Sequence, residues 1–410
     1  MAGGPGSYVF GDEERKEVLD VLDSGYLFRY GQAEDPNFKH KVATFEKEFA
    51  EYMGLAHAVA TSSGTGSLLC CLAALGIGAG DEVIVPGYTF IASISSIVLS
   101  NAIPVLAEID ESLTIDPEDI EKRITPRTKA IMPVHMLGNP CDMDRIMTIA
   151  KKHKLYVIED CCQAVGATYK GKKVGTFGDI AAYSLNVFKT ISAGDGGVVG
   201  TNDANLYERS YGFHDQGHKP SRMGVEVGKR SIVGMNMRMN ELTGAVALAQ
   251  LRKLDLMLKI LHVNKSQLKK SLTGVPGVGF RTLNDTEGEC ATLLTMIFDT
   301  SVKANRFCGI IGSKPISSSG WHVYNNMEQV LGKKTGRTFN CPYDCPVYEG
   351  ESVYHKNMLP KTDDILDRAV NISIGVVDKG LGSGTGINIK SNSMEIDSEA
   401  SKLKAILLSL

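Results

Sequence analysis

Three short stretches of this chain carry residue types that could do chemistry together. The first is Ser62-Ser63-Gly64-Thr65-Gly66-Ser67, which follows an apolar strand-like run and opens an apolar helical one. Small residues let the backbone approach an anion there. The free N–H groups of a helix's first turn, with the hydroxyls of Ser63 and Thr65, would then suit a phosphate. A plain N-cap followed by turn glycines would look the same. The second is Asp160, which closes the run 155–159 at the carboxyl edge where open α/β sheets place their ligands. An ionised carboxylate held there needs a cationic partner, a bound ligand's or a salt-bridging side chain's; a helix-capping aspartate is the plainer alternative. The third is Lys189, just beyond the run 180–185 and ahead of the turn Gly194-Asp195-Gly196-Gly197. Mostly uncharged neighbours would strip its solvation and favour a neutral, nucleophilic amine, although a lone lysine is most often simply solvated.

The order of these stretches says more than any one of them. A phosphate loop, a strand-end carboxylate, a lysine after a strand and a Gly-rich turn together fit pyridoxal 5′-phosphate. The lysine amine can form an imine with its aldehyde, and the carboxylate can pair with its protonated pyridine nitrogen, which keeps the ring an electron sink. Gln163, three residues past Asp160, could reach a neighbouring ring substituent. The nine histidines give no metal signal: His214/His218 is their one i, i+4 pair and has no third ligand nearby. His135 ends the run 129–134 and reads as a satisfied structural histidine, while His214, His218 and His322 are at best substrate-side candidates. No strand–GxGxxG–helix unit with a following acidic residue is present, which sets a dinucleotide-binding module aside.

The elements that must position these residues follow from periodicity. Helix-period segments come first. In 13–24, Val18, Leu19, Val21 and Leu22 cluster on one side; in 42–53, Val42, Phe45, Phe49 and Met53 recur at three- and four-residue steps before Gly54. Strand candidates then follow at 57–61, 82–86, 104–108, 129–134, 155–159, 180–185 and 197–201, alternating with helices. Several are continuous apolar runs, as in a mostly parallel sheet covered on both faces. A long helical stretch is expected over 240–270, with Leu242, Ala245, Leu248, Leu251 and Leu254 as its apolar positions. Residues 1–270 thus read as a large domain with an N-terminal segment, and 271–410 as a smaller α+β domain. The segment GLGSGTG (380–386) is either a loop at the edge of a site or a connector.

Bulk properties agree. At 410 residues the chain suits two domains. Its 43% hydrophobic and 22% charged composition and net charge of −3, with the charges interspersed, argue against a nucleic-acid or membrane-surface protein. No apolar window reaches the length of a membrane span, and the N-terminus lacks a signal-peptide pattern, so a cytoplasmic protein is expected. The nine cysteines form no CxxC pair and read as reduced thiols; Cys341 and Cys345 could bridge, but nothing favours that over packing.

In series, these motifs resemble the DegT/DnrJ/EryC1/StrS family of sugar aminotransferases. The similarity runs from about residue 11 to 255 and includes ALGIGAGDEVIVPGYTF (74–90), DESLTIDPEDIEKRITPRTKAI (110–131) and ALAQLRKLD (247–255). The resemblance implies the aspartate-aminotransferase fold, fold type I among pyridoxal-phosphate enzymes. It places Gly64, Thr65 and Ser184 on the cofactor phosphate, Phe90 stacked on the ring, Asp160 at the pyridine nitrogen and Gln163 near the ring oxygen. It also implies that Asn236, in Gly234-Met235-Asn236-Met237-Arg238-Met239, reaches the phosphate of the adjacent subunit, so that a homodimer shares its active sites. Read from residues alone, Phe90 would be core and Asn236 a turn residue. The family's Gly-Glu-Gly-Gly is here Gly194-Asp195-Gly196-Gly197, which shortens one turn side chain. Beyond residue 270 the match weakens. The segments Gly25–Tyr30 and Gly320-Trp321-His322-Val323-Tyr324-Asn325-Asn326 resemble the 8-amino-3,8-dideoxy-octulosonate aminotransferase branch.

The expected activity is a ping-pong transamination through a Lys189 Schiff base. Glutamate or glutamine is the donor that the resemblance implies, and a keto- or aldehydo-sugar or sugar-like ketone the acceptor, with Lys189 as the proton shuttle. A cyclitol ketone is an alternative acceptor. A sugar dehydratase of the same family is an alternative reaction, although those enzymes typically carry His where this chain has Lys189. The sequence leaves the acceptor open, because diphosphate and carboxylate recognition use the same basic residues.

Overall fold

A computed structural model describes residues 3–32, 34–220, 228–337 and 340–410 of the chain. Strands β1 (His57–Thr61), β2 (Glu82–Pro86), β3 (Ile103–Ala107), β4 (Thr128–Ile131) and β5 (Tyr156–Asp160) alternate with helices. A two-residue hairpin, β6 (Thr168–Tyr169) and β7 (Lys172–Lys173), precedes β8 (Ile180–Ser184) and β9 (Gly197–Thr201). Seven of these form one sheet in the order β1-β9-β8-β5-β4-β2-β3. Pairings from β3 through β8 are parallel, and β9 runs antiparallel to both β8 and β1. Strands β2 and β8 are buried throughout, because helices cover both faces; this is why they read as unbroken apolar runs.

The expected strands are all present, with ends displaced by up to three residues. The run expected at 129–134 pairs only over Thr128–Ile131, since Pro133 has no N–H to give a ladder. Asp160 is the last residue of β5 rather than the first after it, and its backbone N–H donates to Pro133 O at 2.9 Å.

Two helical expectations are corrected. The stretch 240–270 is two helices, Glu241–Leu251 and Leu254–Leu272, separated at Arg252 and Lys253. Both arginine and lysine are good helix formers, so propensity gave no warning of the break. In helix Asp12–Ser24, of the four clustered apolar residues only Val21 is fully buried; Leu19 and Leu22 are about half exposed. That helix docks on Glu241–Leu251 through Val21 and through the buried Glu14, whose carboxylate accepts from Gln250 Nε2 at 2.7 Å. In helix Lys41–Met53 the expected stripe Val42, Phe45, Phe49 and Met53 is fully buried, and Gly54 caps the helix at φ 70°.

Strands β10 (Val278–Phe280), β11 (Leu293–Phe298) and β12 (Ala369–Ser373) form a second, antiparallel sheet in that order. Helix Ser393–Leu408 packs along Leu254–Leu272. All nine cysteines are free thiols, Cys341 and Cys345 included. No helix among the described residues is long and apolar enough to cross a membrane.

Candidate active site

A cavity of about 560 Å³ opens at the carboxyl ends of β5 and β8 and is closed on its far side by residues 292–381. Eight of the nine predicted cofactor residues line it: Ser63, Gly64, Thr65, Phe90, Asp160, Gln163, Ser184 and Lys189. The ninth, Asn236, does not. It is exposed, bridges to Asp215 through the backbone, and its Oδ1 accepts from Arg238 N at 3.3 Å.

One corner of the cavity is built by the first turn of helix Gly64–Leu75. Ser63 caps it, its Oγ accepting from Gly66 N at 3.0 Å. The N–H groups of Gly64 and Thr65 precede the first helical hydrogen bond and are left over for a ligand. Gly64 is required by packing: a Cβ there would lie 2.7 Å from Ser184 Cβ and 3.2 Å from Cys162 Sγ. The glycine therefore brings the first turn of the helix against the end of β8, where the Ser184 hydroxyl joins the same corner.

Asp160 is 3% exposed and sits in a made-to-measure cradle. Ser93 Oγ donates to its Oδ2 at 2.6 Å and the Cys162 N–H to its Oδ1 at 3.0 Å; Thr89 Oγ1 lies 2.7 Å from Ser93 Oγ. These donors fix the carboxylate's orientation. Ser93 and Thr89 were not picked out from the sequence. Their four-residue spacing, with Thr89 just ahead of the helix Ile91–Leu99 and Ser93 within it, was the available signal.

Lys189 lies in the loop between β8 and β9. Desolvation by the cavity walls lowers its pKa, against the raising influence of Cys162, Asp160 and Asp378. The loop is held by the N-terminal segment, which in the sequence shows only the lack of a signal-peptide pattern. Gly4 N donates to Val187 O at 2.9 Å and Ser7 Oγ to the same oxygen at 2.7 Å. A Cβ on Gly4 would come within 2.4 Å of the Phe188 carbonyl and 2.5 Å of Lys189 O, so only glycine fits there.

Phe90 is 40% exposed at the cavity, not core, with its ring centroid 5.4 Å from that of His322. Gln163 Oε1 accepts from Leu137 N at 3.0 Å, leaving its amide N–H groups for a ligand. His322 lines the cavity; burial, then the Lys189 charge, pushes its pKa down to about 3, so it is neutral at ordinary pH. His214 is buried against Arg29 and the Tyr211 carbonyl, and neither it nor His218 lines the cavity. His135 is also outside it. Its Nδ1 accepts from Cys141 N, so Nε2–H donates to Glu159 Oε2 at 3.1 Å. Glu159 also accepts from the N–H groups of Gly175, Phe177 and Gly178. Beside the buried Cys161, Glu159 thus has both oxygens engaged, by His135 and by three backbone N–H groups. Within 380–386, Gly380 and Leu381 line the cavity, which places that segment at the site's edge.

The chain matches the DegT/DnrJ/EryC1/StrS aminotransferase family over residues 9–377. It is 44% identical over 243 residues to a GDP-perosamine synthase of Caulobacter vibrioides, covering 59% of this chain and 62% of that one. It is 42% identical over 220 residues to an L-glutamine:2-deoxy-scyllo-inosose aminotransferase of Streptoalloteichus tenebrarius, covering 52% and 51%. The alignments therefore span half to under two-thirds of these relatives' length. The whole fold is similar to the crystal structure of an aminotransferase from Psychrobacter cryohalolentis, with a TM-score of 0.79 at 28% identity and 98% of each chain covered. The architecture is that of the aspartate-aminotransferase fold, fold type I of the pyridoxal-phosphate enzymes. With the match extending from residue 9 to 377, the chain belongs to the DegT/DnrJ/EryC1/StrS aminotransferase family.

Proposed function

We propose that this protein is an aminotransferase that moves an amino group from glutamate or glutamine to a ketone or aldehyde on a sugar or cyclitol, with Lys189 as its catalytic amine. The observation that carries this reading is the placement of Lys189 and Asp160 in one cavity. The first is a desolvated amine and the second a carboxylate held by two donors. Pyridoxal 5′-phosphate is the cofactor of this family, and the donor set fits it. The Gly64 corner and Ser184 would take the phosphate, Asp160 the pyridine nitrogen, Phe90 the ring face and Gln163 the ring oxygen. When bound, the cofactor supplies an aldehyde for the amine and a ring that accepts electrons from a breaking C–H bond.

The chain's own residues then divide the work. Lys189 Nζ, its pKa lowered by desolvation, would take a proton from the substrate's alpha carbon and return it two atoms away, on the carbon that the cofactor supplies. Asp160 would hold a proton on the ring nitrogen, with Ser93 fixing the carboxylate's orientation. His322 is neutral and so adds no charge beside the amine. Asn236, exposed and outside this cavity, supports a homodimer in which each subunit completes its partner's site. We read 1–270 as the cofactor-holding domain and 271–410 as the smaller domain that closes the acceptor side, and the protein as cytoplasmic.

The test is transfer from glutamate or glutamine to a panel of ketosugars and cyclitol ketones, read as release of the 2-oxo acid. Wild type is expected to turn over and Lys189→Ala to lose both turnover and the visible absorption of lysine-bound cofactor. Full turnover by Lys189→Ala would overturn the assignment.

A further inference from the structure

Arg281 follows β10 directly and is buried, 3% exposed, yet it does not line the cavity. Its guanidinium forks onto two carbonyls of one turn: Nη1 donates to Met136 O at 3.0 Å and Nη2 to Leu137 O at 2.9 Å. The nearby Glu289 does not account for this placement. Both its oxygens lie 2.5 Å from Lys265 Nζ, whereas Arg281 Nη2 stands 3.6 Å from Glu289 Oε2. Two buried cations thus share one carboxylate, and the charge left over faces the two carbonyls.

The turn that receives this fork has an unusual backbone. Leu137 sits at φ 56° and ψ 33°, in the left-handed region that a leucine rarely adopts. Such a conformation persists where its surroundings hold it. Met136 O and Leu137 N belong to one trans peptide, so they point in opposite directions from a single plane. Arg281 Nη1 donates to the oxygen end, and the N–H end donates to Gln163 Oε1 at 3.0 Å. Guanidinium, peptide and side-chain amide therefore form one line. Donation to the carbonyl oxygen polarises the peptide and strengthens the bond that its N–H gives.

That line ends in the cavity, which Leu137 and Gln163 both line. A glutamine amide has two sides of nearly the same shape, a carbonyl that accepts and an NH2 that donates. With Oε1 engaged by Leu137 N, the NH2 is the side left for a ligand. If the peptide were free to turn, the amide could flip and set its carbonyl against a ligand oxygen, acceptor against acceptor.

We propose that Arg281 is a positioning residue of this site: by holding the Met136–Leu137 peptide, it keeps the donor side of Gln163 toward the cofactor's ring oxygen. This rests on the reading above that Gln163 meets that oxygen. A residue after β10 thereby sets a contact made by a residue after β5.

The test titrates the visible absorption of lysine-bound cofactor against pH in wild type, Arg281→Gln, Gln163→Ala and the double variant. A donor on the ring oxygen draws off negative charge that would otherwise hold a proton on the Lys189 nitrogen, so its loss should move the midpoint to higher pH. Gln163→Ala is expected to raise the midpoint by about one pH unit, and Arg281→Gln by about half of that or more. The double variant should match Gln163→Ala alone, because Arg281 acts through Gln163. Arg281→Lys keeps a cation beside Glu289 but cannot fork onto two carbonyls. It takes the place of Arg281→Gln if that protein does not fold, with a shift in the same direction. In cofactor-free protein, amide hydrogen exchange in the segment 136–139 should be about tenfold or more faster in the Arg281 variant.

A lowered melting temperature with an unmoved midpoint would make Arg281 structural alone and overturn the proposal. So would a double variant shifted by the sum of the single shifts, or unchanged exchange at 136–139. An unmoved midpoint in Gln163→Ala would overturn the placement of Gln163 on the ring oxygen and this proposal with it; a moved one with any of the other failures would overturn the role of Arg281 alone.

Discussion

The two walls of the cavity are built by different means. The wall made by residues 63–189 hangs on regular elements: a helix N-terminus at Gly64, the last residue of β5 at Asp160, the last residue of β8 at Ser184. The wall made by 292–381 is mostly loops and single 3₁₀ turns around Trp321, His322 and Asp378. Side chains at the ends of packed strands are fixed by the sheet, which suits a cofactor whose shape does not change. Loops can be rebuilt without disturbing the sheet, which suits an acceptor that differs between relatives. The alignments with curated relatives cover 52% and 59% of this chain.

The first way to break this contrast is Lys189→Ala, with an expected loss of at least about a thousandfold in kcat, since it removes the acid–base group and the covalent anchor together. Asp160→Asn should cost about a hundredfold or more in kcat, because a neutral amide no longer stabilises a proton on the ring nitrogen. If either of these variants transferred amino groups at the wild-type rate, the strand-end wall would not be the catalytic one. Ser93→Ala sharpens the point. Loss of one hydrogen bond to a charged group corresponds to about tenfold. The effect should appear in the pH–rate profile as a shifted limb, which a merely structural role would leave in place. Gly64→Ala should raise the cofactor's Kd about tenfold and lower the melting temperature by a few degrees, as the new methyl pushes the helix turn off Ser184.

The smallest expected effect lies on the loop wall. His322 is held neutral with its pKa down at about 3, whereas an unfolded histidine titrates near the ordinary 6.5. Between those values the unfolded chain binds the extra proton. The group's contribution to stability is therefore complete above about pH 6.5 and declines as the pH falls toward 3. Wild type should accordingly lose more melting temperature than His322→Gln between pH 7 and pH 5, by a few degrees. An identical pH dependence in the two proteins would argue that His322 is solvated.

How much of this was legible in the sequence follows the same division. Gly64, Asp160 and Lys189 could be found because each sits where a periodic pattern begins or ends. The boundary of an element marks the edge of a sheet, and the edge is where ligands bind. Periodicity does not mark what comes from separate loops. Trp321 and Asp378 meet across 57 residues of chain, and their neighbourhood depends on a missing side chain at Gly380. Ser93 was hidden for another reason: in a helix, a serine at the cavity and a serine on the surface look alike. The support of Lys189 by Gly4 and Ser7 joins residues some 180 positions apart, beyond the reach of any local pattern. The break at Arg252 and Lys253 was missed because tertiary packing overrode good helix propensity.

The account's central claim is that one amine and one carboxylate address opposite ends of the same ring. The most direct measurement is a crystal structure of the cofactor-loaded protein. The expected result is density continuous from Lys189 Nζ to the cofactor, the Asp160 carboxylate within hydrogen-bonding distance of the ring nitrogen, and the phosphate in the corner formed by Gly64 and Ser184. A cofactor bound through another lysine, or lying with its ring nitrogen away from Asp160, would contradict it.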